Sequence, residues 1–262
     1  MLFPRVLTAV IGIPLLLGFI HAGGMAWAAF MTALSAWCAY EYGLILAAGG
    51  RPVQRWTALL CAAALAASVA LGGLNGAVLT AVVAAVLLRE MFSAVRSLER
   101  ISFTLFGVLL TGWLLAHLAL VRDLRPDGEK LTYLLFAGVW IMDTAAYVVG
   151  KTLGRHRLAE GLSPRKTWEG AIAGFLGAVV GAALMARLLR PESVGLGAAA
   201  VLGVIIGVSG QLSDLAESLV KRAVGAKDSG TLLPGHGGLL DRFDSLLLAA
   251  PAVYYFLILR CP

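Results

Sequence analysis

Charge is what this chain has least of. Asp, Glu, Lys and Arg make up 14% of its 262 residues, where a soluble domain averages about 25%, and 60% are hydrophobic before 31 glycines are counted. Such a deficit excludes a soluble globular protein and leaves no stretch for a separate soluble domain of useful size. Cysteine is nearly absent. Cys38, Cys61 and Cys261 stand alone, without metal-ligand spacing or an evident partner, and read as packing residues. Also missing is the alternation of apolar and polar residues, over segments of about ten, that marks a membrane β-barrel.

What is present is a series of long uncharged runs, each near the roughly 20 residues that carry a helix across a bilayer core. They predict an all-α, polytopic integral membrane protein with about nine spans, at 6–22, 25–48, 57–72, 74–90, 101–121, 131–150, 168–190, 196–219 and 244–261. Turn and charge signals separate them: His21 to Gly24, Gly49 to Pro52, Gly72-Gly73, and Arg122 through Lys130. The third and fourth spans are short and the break between them is weak, so one long kinked helix fits that pair as well. Arg5 ahead of the first run also fits a secretory signal. The remaining spans need a membrane in any case, and an uncleaved first span is expected.

With the N-terminus cytoplasmic, that face receives fifteen of the 21 Lys and Arg: Arg5, Arg51, Arg55, Arg89, Arg96, Arg100, the run from Lys151 to Lys166, and the run from Lys221 to Arg242. This bias is the one that sets membrane orientation. The net charge of +6, which in a soluble chain would suggest nucleic acid, here marks the cytoplasmic side, and no nucleic-acid partner is expected. A multi-pass protein is expected, in the inner (plasma) membrane, with residues 1–130 as helical scaffold and 131–262 carrying the chemistry-bearing motifs.

Ionisable groups inside or beside spans are costly, so they point to function. Glu41, in "WCAYEYG", fits an interface position and a functional role equally. His21 and His117 have no companions and read as packing or interface residues. Glu90 beside Arg89, and Glu99 beside Arg100, read as a solvated loop.

Two clusters are different in kind. The first, "MDTAAYVVGKTLGRHRLAEGLSPRKTWEG", places Asp143 in an apolar span with Thr144 and Tyr147. Lys151, Arg155, His156 and Arg157 follow, then Ser163-Pro164-Arg165-Lys166-Thr167. That last piece predicts a helix start, with Ser163 as cap and Pro164 in the first turn. Open amides there, beside Arg165 and Lys166, would form an anion site. The "GKT" at 150–152 is no phosphate-binding loop, because position 145 is alanine and a membrane helix precedes it.

In the second cluster, "SDLAESLVKRAVGAKDSGTLLPGHGGLLDRFD", Asp214, Glu217, Ser218, Lys221 and Arg222 recur at helical spacing and share one face. A stripe of carboxylates and bases along a membrane helix must line a cavity or a helix contact. Lys227, Asp228 and Ser229 then lead through Pro234-Gly235-His236-Gly237-Gly238 to Asp241, Arg242 and Asp244, with Asp241 and Asp244 expected on one helix face. Carboxylates on two helices suit a hard cation with room for waters and phosphate oxygens. Lys and Arg at the same level suit phosphate, and glycines let backbone amides approach an anion. A structural ion-pair network accounts for any one pair, but poorly for the whole set.

The run from Ser218-x-x-Lys221-Arg222 through Lys227-Asp228-Ser229 to Pro234-Gly235-His236-Gly237-Gly238-x-x-Asp241-Arg242-x-Asp244 resembles the signature of the phosphatidate cytidylyltransferases, or CDP-diacylglycerol synthases. The first cluster is similar to that family's other motif. The chain departs at Ala145, where glycine is usual, at Arg165, where lysine is, and at Ser213, where glycine precedes the aspartate.

The resemblance implies transfer of CMP from CTP to phosphatidate, giving CDP-diacylglycerol and pyrophosphate. It implies magnesium on Asp214 and Asp241, with a second, monovalent cation as an option, and catalytic roles for Lys221, Lys227 and Arg242. Ser163, Arg165, Lys166, Thr167, Ser218, Arg222, His236, Gly237 and Gly238 fall to phosphate or substrate, and Asp143, Glu217, Asp228 and Asp244 to support of the metal. It further implies a homodimer acting at the cytoplasmic face. A CTP-dependent polyprenol kinase or another lipid cytidylyltransferase would use similar parts. The Asp-Gly-x-x-Ala-Arg motif of CDP-alcohol phosphotransferases is absent. A cation-coupled transporter fits less well, since the basic residues crowd one side.

Overall fold

A computed structural model describes residues 3–73, 75–230 and 237–260, with side chains from residue 10 onward. The predicted loop residues Pro234, Gly235 and His236 lie outside it. A helix falls within each predicted apolar run: α1 (Phe3–Ala22), α2 (Gly24–Ala48), α3 (Arg55–Gly72), α4 (Gly76–Met91), α5 (Leu98–Asp123), α6 (Gly128–Thr152), α7 (Trp168–Leu189), α8 (Leu196–Ala223) and α9 (Leu240–Arg260). The weak break is real, because α3 and α4 are separate helices that pack on each other. Among the described residues six helices, α3 and α5 to α9, are long and apolar enough to cross a membrane. Helix α4 has 16 residues, and the described apolar part of α1 is Val10–Ala22. Arg157–Ala159 (β1) and Ser163–Thr167 (β2) add a short antiparallel hairpin to this all-α frame.

The chain divides into two compact units, Met1–Leu120 with Val220–Phe243, and Val121–Leu219 with Asp244–Pro262. In the first unit, Trp27, Met31, Leu34, Cys38 and Tyr42 of α2 are buried, as are Ala58, Ala62, Leu65, Ala66 and Val69 of α3. Small residues set the spacing: a Cβ on Gly112 would lie 2.8 Å from Ala62 Cα, where α5 widens into a π-helical stretch over Leu109–Leu114. Glu90 corrects the expectation of a solvated loop. It is 3% exposed, and Arg100 donates to both its oxygens while Gln54 Nε2 donates to Oε2 at 2.8 Å. The ends of α4 and α5 face each other, so carboxylate and guanidinium neutralise one another in a sheltered place.

In the second unit α6 and α7 lie together over most of their length. The glycine face of α7 makes this possible: a Cβ on Gly174 would meet Ala146 Cβ at 3.0 Å, and one on Gly177 would meet Ala145 Cβ at 2.9 Å. That face is therefore used for close packing within the chain. On the opposite side of α7, Ile172, Leu176, Val180, Leu184 and Leu188 repeat every four residues and are all exposed. Such a stripe is stable against lipid and not against water. Between α6 and α7's far ends, Asp127 is buried and accepts from Ser193 N at 2.7 Å and Ser193 Oγ at 2.8 Å, with Lys130 Nζ at 3.3 Å. Burial raises the pKa of this carboxyl, but the Ser193 and Lys130 interactions outweigh it and hold it below the usual aspartate value.

Candidate active site

Four of the five residues in the polar stripe of α8 are sheltered, as the spacing predicts, and Arg222 is exposed. Glu217 is buried and Asp214, Ser218 and Lys221 are half-buried, whereas Leu212 and Leu219 on the other side are more than half exposed. Asp214 and Glu217 belong to the second unit and Lys221 and Arg222 to the first, and the polar groups of each unit are taken in turn.

In the second unit, Lys166 Nζ lies 2.6 Å from Asp214 Oδ2. Lys166 reaches there from β2, and here the sequence expectation is corrected. Ser163 and Pro164 do not start a helix but stand in a strand, because residues 157–167 fold back on themselves with Arg157 opposite Thr167 and Ala159 opposite Ser163. The cap of α7 is Thr167, whose hydroxyl accepts from Gly170 N at 3.2 Å. Glu169 in the first turn reaches back to the amides of Arg155 and His156 and lies 2.6 Å from His156 Nδ1. The hairpin thus ends on a fixed base. Arg165 is exposed on it.

Around Asp244 the acidic groups converge. Asp143 of α6 and Asp214 and Glu217 of α8 all lie near enough to act on its charge. Ser213, the departure from the family's usual glycine, is fully buried and ties the backbone here: its hydroxyl donates to Asp244 O and accepts from Leu248 N at 3.0 Å. Asp241 and Asp244 do not share one regular helix face. The chain steps between the turn Leu240–Phe243 and the helix Leu246–Arg260, and Ser213 holds the carbonyl at that step.

In the first unit, Lys221 Nζ donates to Asp241 Oδ1 at 2.6 Å, with the side chains 12% and 7% exposed. The other oxygen, Oδ2, accepts from the amides of Ser229 at 2.8 Å and Gly238 at 2.9 Å. Gly237 has φ +84 and lies beside Asp241, a backbone conformation that glycine adopts at little cost. Arg222 donates to Ala226 O at 3.1 Å, closing the end of α8. Lys227, Asp228 and Arg242 are exposed. His236 lies outside the described residues.

Glu41 is the residue that sequence reasoning left undecided, and it is buried in this unit. It accepts from Trp37 Nε1, Ser229 Oγ, Leu239 N and Leu240 N. A carboxylate in the middle of an apolar run was the available signal.

Among the described residues no three His, Cys, Asp or Glu side chains form a closed metal-binding group. Carboxylate oxygen is nevertheless the donor type that a hard cation takes. Each of the two aspartates expected to take magnesium already holds an ammonium at 2.6 Å, and three further carboxylates, Asp143, Asp214 and Glu217, lie near Asp244. Magnesium commonly takes one or two carboxylates and fills the rest of its shell with water and substrate phosphate.

An α-helical membrane protein with inward-facing carboxylates and bases on its spans is the class that fold and side chains define. Within that class the chain belongs to the cytidylyltransferase family, whose model matches residues 3–259. It is 47% identical over 151 residues to the phosphatidate cytidylyltransferase of Brucella suis biovar 1, which covers 57% of this chain and 55% of that protein. A Synechocystis phosphatidate cytidylyltransferase is 48% identical over 140 residues, 52% of this chain and 46% of the relative. One from Bacillus subtilis is 40% identical over 166 residues, 62% and 60% of the respective chains. The chain thus spans about half the length of the curated relatives it matches.

Proposed function

We propose that this protein is a phosphatidate cytidylyltransferase, transferring CMP from CTP to phosphatidate and releasing pyrophosphate. The observation that carries the reading is the polar stripe of α8, which sets Asp214, Glu217, Ser218 and Lys221 on the protected side of a helix whose leucines face outward. Relatives bearing that activity in their names add support.

A phosphatidate phosphate is largely dianionic near neutral pH, its second pKa being about 6 as in other monoesters. One of its oxygens attacks the α-phosphorus of CTP. The new P–O bond forms as the bond from that phosphorus to the bridging oxygen breaks, and the electron pair leaves with pyrophosphate. Such a nucleophile needs no general base. It needs positioning and relief of repulsion between anions. Lys221, Lys227, Arg222 and Arg242 supply positive charge from the first unit, and Arg165 and Lys166 from the hairpin. Ser163, Thr167, Ser218, His236, Gly237 and Gly238 are assigned to the phosphates by hydroxyl, imidazole or backbone amide, and Asp143, Glu217, Asp228 and Asp244 to electrostatic support. Asp214 and Asp241 are the proposed magnesium carboxylates, and a monovalent cation is a second candidate for the acidic groups. When bound, magnesium would offset charge on the transferring phosphoryl group.

The proposal extends to nine crossings with a cytoplasmic N-terminus in the plasma membrane, a homodimer, and chemistry at the cytoplasmic face. The test is pyrophosphate release by purified protein with CTP. Release that requires added phosphatidate, with CDP-diacylglycerol formed in equal amount, is the expected result. Cation movement without pyrophosphate release would identify a transporter and overturn the reading.

A further inference from the structure

The carboxylate of Glu41 is 2% exposed and each of its oxygens accepts twice. Oε1 takes Trp37 Nε1 at 3.0 Å and Leu239 N at 3.0 Å, and Oε2 takes Leu240 N at 2.8 Å and Ser229 Oγ at 3.2 Å. All four partners are donors, so the group acts as an acceptor through both oxygens. A glutamine at this position would turn an NH2 toward two of them. Glycines let the chain come this close: a Cβ on Gly230 would lie 2.7 Å from Oε1, and one on Gly238 2.6 Å from Oε2.

These contacts continue to Asp241. The Ser229 hydroxyl that donates to Glu41 also accepts from Asp241 N at 3.3 Å, and the Ser229 amide donates to Asp241 Oδ2 at 2.8 Å. Gly238 N, one residue before the amides that Glu41 holds, donates to the same Oδ2 at 2.9 Å. Glu41 therefore fixes Ser229 on one side and Leu239 and Leu240 on the other, and Asp241 takes its donors from between them. An isolated carboxylate buried in a membrane helix is costly, and this one recovers the loss through donors that sit next to a proposed catalytic aspartate.

We propose that Glu41 is a positioning residue that sets the orientation of Asp241 through Ser229 and the first amides of α9. It does not itself touch substrate. The proposal rests on the assignment of Asp241 to the reaction made above.

The test uses the full chain in lipid nanodiscs, with Glu41→Gln, Ser229→Ala, Asp241→Asn and the Glu41→Gln/Asp241→Asn pair. Amide exchange at Leu239 and Leu240 should quicken by about tenfold or more in Glu41→Gln, as loss of charge-assisted bonds predicts, with exchange in α3 unchanged. Turnover at saturating CTP should fall by a comparable factor with less change in KM, and Glu41→Gln should cost nothing further on top of Asp241→Asn. Ser229→Ala should show a smaller loss in the same direction, and it serves alone if Glu41→Gln does not fold. Unchanged exchange at Leu239 and Leu240, exchange quickened equally throughout, or activity losses that add would each overturn the proposal. If the unaltered protein releases no pyrophosphate, the functional reading falls while the exchange measurement still decides the role of Glu41.

Discussion

Asp214→Asn separates catalysis from architecture when it is set beside Lys166→Met. Both variants break the same 2.6 Å pair, whose side chains are 30% and 26% exposed. A fully exposed pair contributes at most about 1 kcal/mol, and breaking a buried one costs about 3–5 kcal/mol. This pair is partly screened by water, so about 1–2 kcal/mol is the expected loss for either variant, with a melting temperature lower by a few degrees. A protein with a stability of about 5–15 kcal/mol remains almost wholly folded after such a loss. Unfolding therefore cannot explain a large fall in turnover. If Asp214 holds the cation, Asp214→Asn should lower turnover at least about a hundredfold, since metal stabilisation of phosphoryl charge is worth several kcal/mol. Lys166→Met should lower it less and mainly raise the substrate concentration needed. The assay is pyrophosphate release per folded molecule in detergent, with magnesium titrated, beside thermal melting of the same samples. Equal activity losses in the two variants, tracking equal melting shifts, would show that Asp214 serves the ion pair alone.

Other outcomes test the frame around it. Gly177→Val should strain the contact with Ala145, since an added Cβ would lie 2.9 Å from the Ala145 Cβ, and lower stability by about 1–3 kcal/mol in thermal melting; Gly18→Ala, a helical position with nothing within 4 Å, should not lower it. Asp127 contributes stability in the ionised form, because its folded pKa lies below the usual 3.8. That contribution should be complete above the ordinary aspartate pKa and vanish as pH falls through the lowered folded value, so the melting temperature of Asp127→Asn should depend less on pH in the acid range than that of the parent. Cysteines at Arg55, His156 and Ala226 should escape an impermeant thiol reagent outside intact cells while one at Arg125, exposed beside the buried Asp127, should label; labelling at Ala226 would contradict the cytoplasmic placement of the chemistry.

The helices were legible because lipid imposes long apolar runs, and the α8 stripe because five polar residues recur at helical spacing in an apolar setting. The hairpin before α7 was not. Ser163 and Pro164 carry the local marks of a helix start, and what overrides them is pairing with residues 157–159, a contact that local spacing does not encode. Glu90 and Glu41 show the same limit at longer range. Both are carboxylates in apolar runs, and both are buried. The sequence placed Glu90 in a solvated loop beside Arg89, whereas its partner is Arg100, ten residues on. The partners of Glu41 at Ser229 and Leu240 lie 188 and 199 residues away.

The two differ in what meets the charge, and that difference bears on function. Glu90 meets a guanidinium through three bonds, so the pair is neutral as a unit, with Gln54 and the Ser97 amide as added donors. The four donors to Glu41 are an indole, a hydroxyl and two amides, none of them charged. Its negative charge is held by dipoles on a segment that also supplies donors to Asp241. A carboxylate neutralised by its own base joins helix ends, as Glu90 does between α4 and α5. A carboxylate held by the amides of Leu239 and Leu240 fixes those two residues, and the residue that follows them directly is Asp241, on which the proposed chemistry depends.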